Sequence, residues 1–321
     1  MLALILVFAI PTALYLLSPF GGETGPVSWL PLRAKAITAF VPFLNYVPRL
    51  DLATGLAVAA VAALAVLSRR GRAPLETLLC LAVLAVFFAA LPFEAKRSFF
   101  LDARFPIMAA FVLFAGLLPA LRSRWTERMV LAGLAVLFLA RVAVIGDAWA
   151  ASAKGVSEVR EVIAPVRPGE RVLAVDVTIN DNRPYVEGTP RWRTLSKVLG
   201  PTYRLLGALV LLERRAFFDA EFAIPSQQPI QVQPAYRDAS CPSGNVPSYT
   251  VLLGPNPPAS ALTLAPCLAH WRDHFDYVLV ENAGGLLDPA ALLPGDLELI
   301  RADDMAALYR VRRAGNAAEG R

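Results

Sequence analysis

Apolar residues gather in the first half of the chain as five runs, at residues 2–17, 52–67, 75–91, 105–121 and 129–145. Each approaches the length at which a helix rising 1.5 Å per residue crosses about 30 Å of hydrocarbon, several of them at the short end. Ala and Gly recur within them, at 55–65 and 109–116, and small residues let helices in lipid pack closely. The pattern predicts an α-helical transmembrane bundle of about five spans.

Beyond Ala150 the pattern changes. A helix over 148–164 leaves the last span and is stopped by Pro165 and Pro168. Short β-type runs follow at 171–177, 206–212, 249–253, 277–281, 297–300 and 307–311. The run Val172, Leu173, Ala174, Val175 is continuously apolar, as suits a central strand covered on both faces. Two acids, Asp303 and Asp304, separate the last two runs, an arrangement expected of an antiparallel pair at a sheet edge. The second half therefore reads as an α/β domain with a mostly parallel sheet and an antiparallel edge. The loops 220–248 and 254–266 are too long for plain connectors, and read as a lid or as a surface packed on the membrane half.

Composition sharpens the division. With 56% hydrophobic and 18% charged residues, against about 45–50% and about 25% in an ordinary soluble domain, the chain is neither a purely soluble enzyme nor a disordered polymer. Residues 1–149 carry 13 Lys and Arg against 7 Asp and Glu, while residues 150–321 carry 18 against 19. The excess positive charge is thus confined to the apolar half, and nucleic acid is not expected as a partner.

Arginines set the orientation. Arg69, Arg70 and Arg72 fill one short turn, and Arg122, Arg124 and Arg128 fill another; such turns stay in the cytoplasm. The amino terminus is then cytoplasmic, and loops 18–51 and 92–104 lie outside, together with everything after Asp147. This predicts a multi-pass protein of the inner, cytoplasmic membrane: a bundle at 1–149, with an interfacial segment at 18–50, and a periplasmic or extracellular domain at 150–321. The interfacial reading rests on Trp29, Tyr46, Arg33 and Lys35 in a Pro- and Gly-rich stretch. No Lys or Arg precedes the first run and no small-x-small site follows it, so a signal peptide fits poorly; Met1 reads as starting partway through a longer bundle. Cys241 and Cys267 fall on the outer side, where a bridge would persist; two unpaired core cysteines are the alternative.

No metal site or cofactor is expected. His270 and His274 are four apart, but the chain has only these two histidines, too few for a familiar zinc pattern. The loop 176–188, with Asn180, Asp181, Asn182 and Arg183, follows a central strand, where α/β sheets place ligands. The polar group Glu213, Arg214, Arg215, Gln227, Gln228 and Gln231 can grip a carbohydrate or satisfy loop backbone. The sequence holds no Gly-rich phosphate loop and no nucleophile elbow.

The layout of late spans, the outer-loop string Leu101-Asp102-Ala103-Arg104-Phe105-Pro106, a final span and an outer α/β domain closing with Phe275–Val280 and Ala307–Val311 resembles the carboxy-terminal part of bacterial GT-C-class glycosyltransferases. These are the multi-spanning enzymes related to protein mannosyltransferases and aminoarabinose transferases. The resemblance implies transfer of a sugar from a polyprenyl-phosphate donor at the outer face of the membrane, with membrane lipid as the other partner. It also implies a catalytic carboxylate in a first outer loop, where this chain offers only Glu23 in Gly21-Gly22-Glu23-Thr24-Gly25. That string does not match the family's paired acids, so the family's acid is expected upstream of Met1.

Sugar transfer with inversion needs a carboxylate to take the acceptor's proton and cations to hold the leaving phosphate. Asp102 and Glu23 are the candidate catalytic residues, and Arg104, Arg97, Lys96 and Arg141 the candidate substrate-binding ones. Headgroup anchoring is the alternative role for the group around Asp102. Arg141, the one charge well inside a run, can meet a lipid phosphate, pair with Asp147 or Asp102, or snorkel to the outer edge. The competing function is a non-catalytic membrane protein whose outer domain binds a partner or an envelope polymer.

Overall fold

A computed structural model describes residues 13, 14, 17, 26–67, 74–95, 100–116, 123–177, 202–221, 223, 228, 230–241, 244–254, 256–285 and 295–312. The chain divides into two compact units, Met1–Ala148 and Trp149–Arg321.

In the first unit a two-residue ladder pairs β1 (Val27–Ser28) antiparallel with β2 (Glu94–Ala95). Among the described residues, four helices belong to it wholly: α1 (Leu32–Thr38), α2 (Pro48–Leu67), α3 (Leu75–Ala90) and α4 (Arg104–Gly116). A 3-10 turn, Val41–Phe43, joins α1 to α2. Helices α3 and α4 lie side by side, with Phe87 and Phe105 stacked at 5.7 Å. Their approach requires Gly116, because a Cβ there would collide with Thr77.

The next helix, α5 (Arg124–Val162), has 39 residues and is about 58 Å long at 1.5 Å per residue. Its apolar middle is flanked by Trp125 and Trp149, both largely exposed, the residue type that settles at membrane interfaces.

The five-span expectation is corrected here. Among the described residues, α5 is the one helix long and apolar enough to cross a membrane. For α3 length is the physical reason: between Pro74 and the extended Leu91 it has 16 residues, whereas about 20 are needed, and shorter apolar helices serve as core, re-entrant or interfacial segments; α4 is described over 13 residues. Helix α2 carries Arg49 and Asp51 in its first turn. The run at 2–17 falls almost wholly outside the described residues, as do Arg69, Arg70, Arg72 and Arg122.

The second unit is built on a five-stranded sheet, in the order β4 (Phe217–Phe218), β3 (Arg171–Asp176), β5 (Tyr277–Glu281), β7 (Ala306–Val311), β6 (Leu297–Ala302). Strand β3 runs parallel to both β4 and β5, while the β5/β7 and β7/β6 ladders are antiparallel. The sheet is therefore evenly mixed, which corrects the mostly parallel expectation. The antiparallel pairing reaches further inward than an edge because the short Asp303-Asp304 turn returns the chain as β7 directly beside β5.

Side chains alternate between the two faces, as the period of a strand requires. Val172, Tyr277, Leu279 and Leu308 pack with Val159, Val162, Ile163 and Val166 from the end of α5 and the turn after it. Leu173, Val175, Val278, Val280 and Tyr309 pack against Trp271, Phe275, Leu252 and Leu268. Pieces of the two long loops supply this second cover, through Ala239, Cys241, Ala265 and Cys267. What read as a lid or a docking surface is thus the layer that closes one face of the sheet.

Two expected strands are helical. Residues 206–212 fall in a 3-10 segment, Thr202–Ala208, and in α6 (Leu209–Arg214). Gly207 and Val210 are buried while 211–213 face outward, a helical spacing that a short apolar run does not reveal in advance. Tyr249–Leu252 is a 3-10 turn, because the Ser248 side chain accepts from the Thr250 N–H and caps it.

Cys241 and Cys267 are bridged, with Cα atoms 5.3 Å apart and a sequence separation of 26. Closing a loop of that size removes unfolded-state entropy worth about 3–4 kcal/mol. Cys241→Ser with Cys267→Ser should therefore lower the free energy of unfolding of the second unit by roughly that much, measured by denaturant titration of the full chain.

Candidate functional site

Of the candidate residues of the first unit, Asp102 stands just ahead of α4 and faces a cation that was not among the candidates. Asp102, two residues ahead of α4, is fully buried, and the nearest opposite charge is Lys35 of α1, with Nζ 3.8 Å from Oδ2. That distance is a charge contact, too long for a hydrogen bond. Neither Asp102 oxygen has a hydrogen-bond donor among the described residues.

Lys35 itself is well held. Its ammonium donates to the Ala89 carbonyl at 3.0 Å and to the Leu91 carbonyl at 2.8 Å. Those groups end α3, where carbonyls lack helical partners and the macrodipole is negative, so a cation is favoured there. The Phe88 ring lies 5.5 Å from Nζ. One buried cation therefore joins α1, the end of α3 and the segment leading into α4. The sequence marked Lys35 as an interfacial residue and not as part of the site, since its partners are more than fifty residues away.

Arg104 opens α4 and is exposed. Glu23, Lys96 and Arg97 lie outside the described residues.

Arg141 donates to Asp51 Oδ1 at 2.9 Å and to Thr54 Oγ1 at 3.3 Å. Its carboxylate is therefore Asp51, not Asp147 or Asp102. Asp51 also accepts the Asn45 N–H at 2.7 Å and sits in the first turn of α2, where the helix dipole favours an anion. Because those two supports remain, Arg141→Leu should cost about 1–3 kcal/mol, less than loss of a sole partner would. Heat-induced aggregation in micelles reads this, and an unchanged midpoint would show that the pair adds no stability.

In the second unit three buried acids stand at the carboxyl ends of the parallel strands: Asp176 ends β3, Glu281 ends β5 and Asp219 follows β4. Asp176 and Glu281 are register partners, Glu281 Oε1 accepts the Gly207 N–H at 2.7 Å, and Asp219 Oδ1 accepts the Ala174 N–H at 2.7 Å. Gly207 is required there, since a Cβ would lie 2.6 Å from Glu281 Oε1. Burial pushes the Asp219 carboxyl from 3.8 up to about 8, more than its backbone hydrogen bonds lower it. The common sequence signal is an acid closing an apolar run: Val172–Asp176, Phe217–Asp219 and Tyr277–Glu281.

Asp219 also lies near Cys241 and Cys267, a spacing open to metal ligation. The two sulfurs are bonded to each other and so are not thiolate ligands. His270 precedes the single-turn helix α7 (Trp271–His274) with φ 54° and is exposed. Asn180, Asp181, Asn182, Arg183 and Gln227 lie outside the described residues. Glu213 pairs with Arg160 at 2.8 Å and Arg214 donates to the Val166 carbonyl at 3.0 Å, so both fasten α6 to the segment around the end of α5.

No family model, curated protein or solved structure matches this chain.

Proposed function

We propose that the chain is an integral membrane protein of a sugar-transfer system, acting on a polyprenyl-phosphate-linked sugar at the outer face of the cytoplasmic membrane. One observation carries the reading: Asp102 is a fully buried carboxylate without a hydrogen-bond donor among the described residues, 3.8 Å from a cation. An unsatisfied buried acid is costly, and such groups concentrate where chemistry is done. In this reading the acceptor hydroxyl attacks the anomeric carbon and its proton passes to Asp102. The bond from that carbon to the phosphate oxygen breaks, and Arg104 faces the departing phosphate. Asp102 is enclosed as it stands, so binding of donor and acceptor has to open one of its oxygens.

Placement in a membrane is supported by the length of α5 and by apolar side chains that the first unit turns outward, among them Leu52, Leu56, Val86, Phe111 and Phe114. In water that arrangement forgoes about 25 cal/mol per Å², and in hydrocarbon it forgoes nothing. The bridge between Cys241 and Cys267 supports an oxidising compartment for the second unit.

The test is consumption of a polyprenyl-phosphate sugar by the protein in vesicles, with Asp102→Asn and Arg104→Ala beside the unaltered chain. Asp102→Asn should slow turnover by about 10²–10⁴-fold, the usual contribution of a positioned acid or base. The competing function, a non-catalytic protein whose outer domain binds a partner or envelope polymer, draws on the complete enclosure of Asp102. Undiminished turnover in Asp102→Asn, or none in the unaltered protein, would decide for it.

A further inference from the structure

A cavity of about 330 Å³ opens among α2, α3, α4 and the Val41–Phe43 turn, and all of its lining residues are apolar. Four are phenylalanines: Phe40, Phe43, Phe88 and Phe105. The walls owe their depth to small residues, Gly55, Ala59, Ala85, Ala109 and Ala110. Water is a poor occupant, since a held water needs two to four polar partners and the exposed lining is almost entirely apolar. An empty cavity of this size is costly as well, because its walls lose their packing contacts.

The helices around the cavity turn Leu56, Met108 and Phe111 to the outside, so the cavity is continuous with a surface already suited to hydrocarbon. Just ahead of the lining residue Phe105 stands Arg104, exposed, a cation where a chain's anionic headgroup would lie. Because the lining is almost entirely apolar, the headgroup stays outside and only the chain enters. We propose that this cavity seats one acyl chain of an anionic membrane phospholipid, resting on the membrane placement given above. The bilayer's own chains outnumber any donor lipid, and occupancy follows concentration.

Val58 and Leu84 report on the seat, because both line it and both are less than one-tenth exposed. The full chain is placed in vesicles of phosphatidylglycerol carrying a diazirine at the chain end, irradiated and mapped by peptide mass. Label is expected on Val58 and Leu84 as well as on the exposed Phe111. Ala85→Phe and Ala109→Phe, which fill the cavity from different helices, should each lower label at Val58 and Leu84 by about tenfold, equivalent to 1.4 kcal/mol of occupancy. Label at Phe111 should hold, and it serves to show that each variant is folded and inserted.

Unchanged label at Val58 and Leu84 in a folded, filled variant overturns the proposal. Loss of that label on adding equimolar polyprenyl phosphate also overturns it, by giving the cavity to the donor's chain. Sugar transfer is read separately on unlabelled vesicles. Absent transfer with intact labelling sinks the transferase reading and leaves the chain seat standing; lost labelling with intact transfer does the reverse.

Discussion

Between about pH 4 and pH 8 the protein should lose stability as the pH rises, and Asp219→Asn should remove most of that loss. In the unfolded chain Asp219 ionises near 3.8, while in the folded protein burial holds it protonated until about 8. Across that interval the folded state binds more protons than the unfolded state, so raising the pH favours unfolding. The stabilisation from the neutral acid is fully present below 3.8 and is lost as the pH climbs to about 8. At 1.36 kcal/mol per pH unit, the interval is worth on the order of 5 kcal/mol.

The geometry explains why the acid stays neutral. Oδ1 accepts from Ala174, whereas Oδ2 faces Cys267 Sγ at 3.9 Å, and a bridged sulfur has no hydrogen to donate. Glu221 adds a smaller like-charge effect. The measurement is denaturant unfolding of the full chain in micelles from pH 4 to pH 9, with the slope compared between the unaltered protein and Asp219→Asn. Parallel slopes would show that Asp219 titrates alike in both states.

Four strands of the sheet, β3, β5, β6 and β7, were legible, whereas β4 and the balance of parallel and antiparallel pairing were not, and local chemistry explains the difference. Strands β3 and β5 are short apolar runs bounded by charge, and β6 with β7 carries its turn in Asp303-Asp304, where Asp303 accepts the Asp304 N–H at 2.7 Å. Period and turn residues are local, so a sequence displays them. Residues 206–212 resisted the same treatment because an apolar run of seven fits a buried strand and a helical turn equally. Only the burial of Gly207 against Glu281, seventy-four residues away, separates the two.

Helix lengths in the first unit failed for a related reason. Hydropathy marks where apolar residues are, but a helix also needs a start and a stop. Pro74 ahead of α3 and the extended Leu91 after it confine that run to 16 residues. The candidate site was legible as residue types and not as pairs. Asp102 and Arg141 were both singled out, yet their partners, Lys35 and Asp51, are 67 and 90 residues away. An ion pair across helices leaves no periodic trace for a sequence to display.

Lys35→Met should be the most damaging single change in the first unit, costing about 3–5 kcal/mol, the usual effect of removing one partner of a buried ion pair. Three losses combine. Among the described residues Asp102 is left buried with no donor and without the charge it faced, and the carbonyls of Ala89 and Leu91 lose the ammonium that ends α3. The tie from α1 to the entry of α4 goes with them. Asp102→Leu removes only the unsatisfied acid and leaves Lys35 on its two carbonyls, so it should cost far less. The double variant should recover part of the Lys35→Met loss, because an apolar pair in place of a buried ion pair is often neutral or better. Unfolding free energies of the four proteins in micelles close the cycle, and a coupling near zero would mean that 3.8 Å in this setting carries no interaction. Turnover then separates positioning from chemistry. If Asp102 takes the acceptor's proton, Asp102→Leu is inactive although nearly as stable as the unaltered protein; if it serves only as the counter-charge of Lys35, sugar transfer survives in that variant.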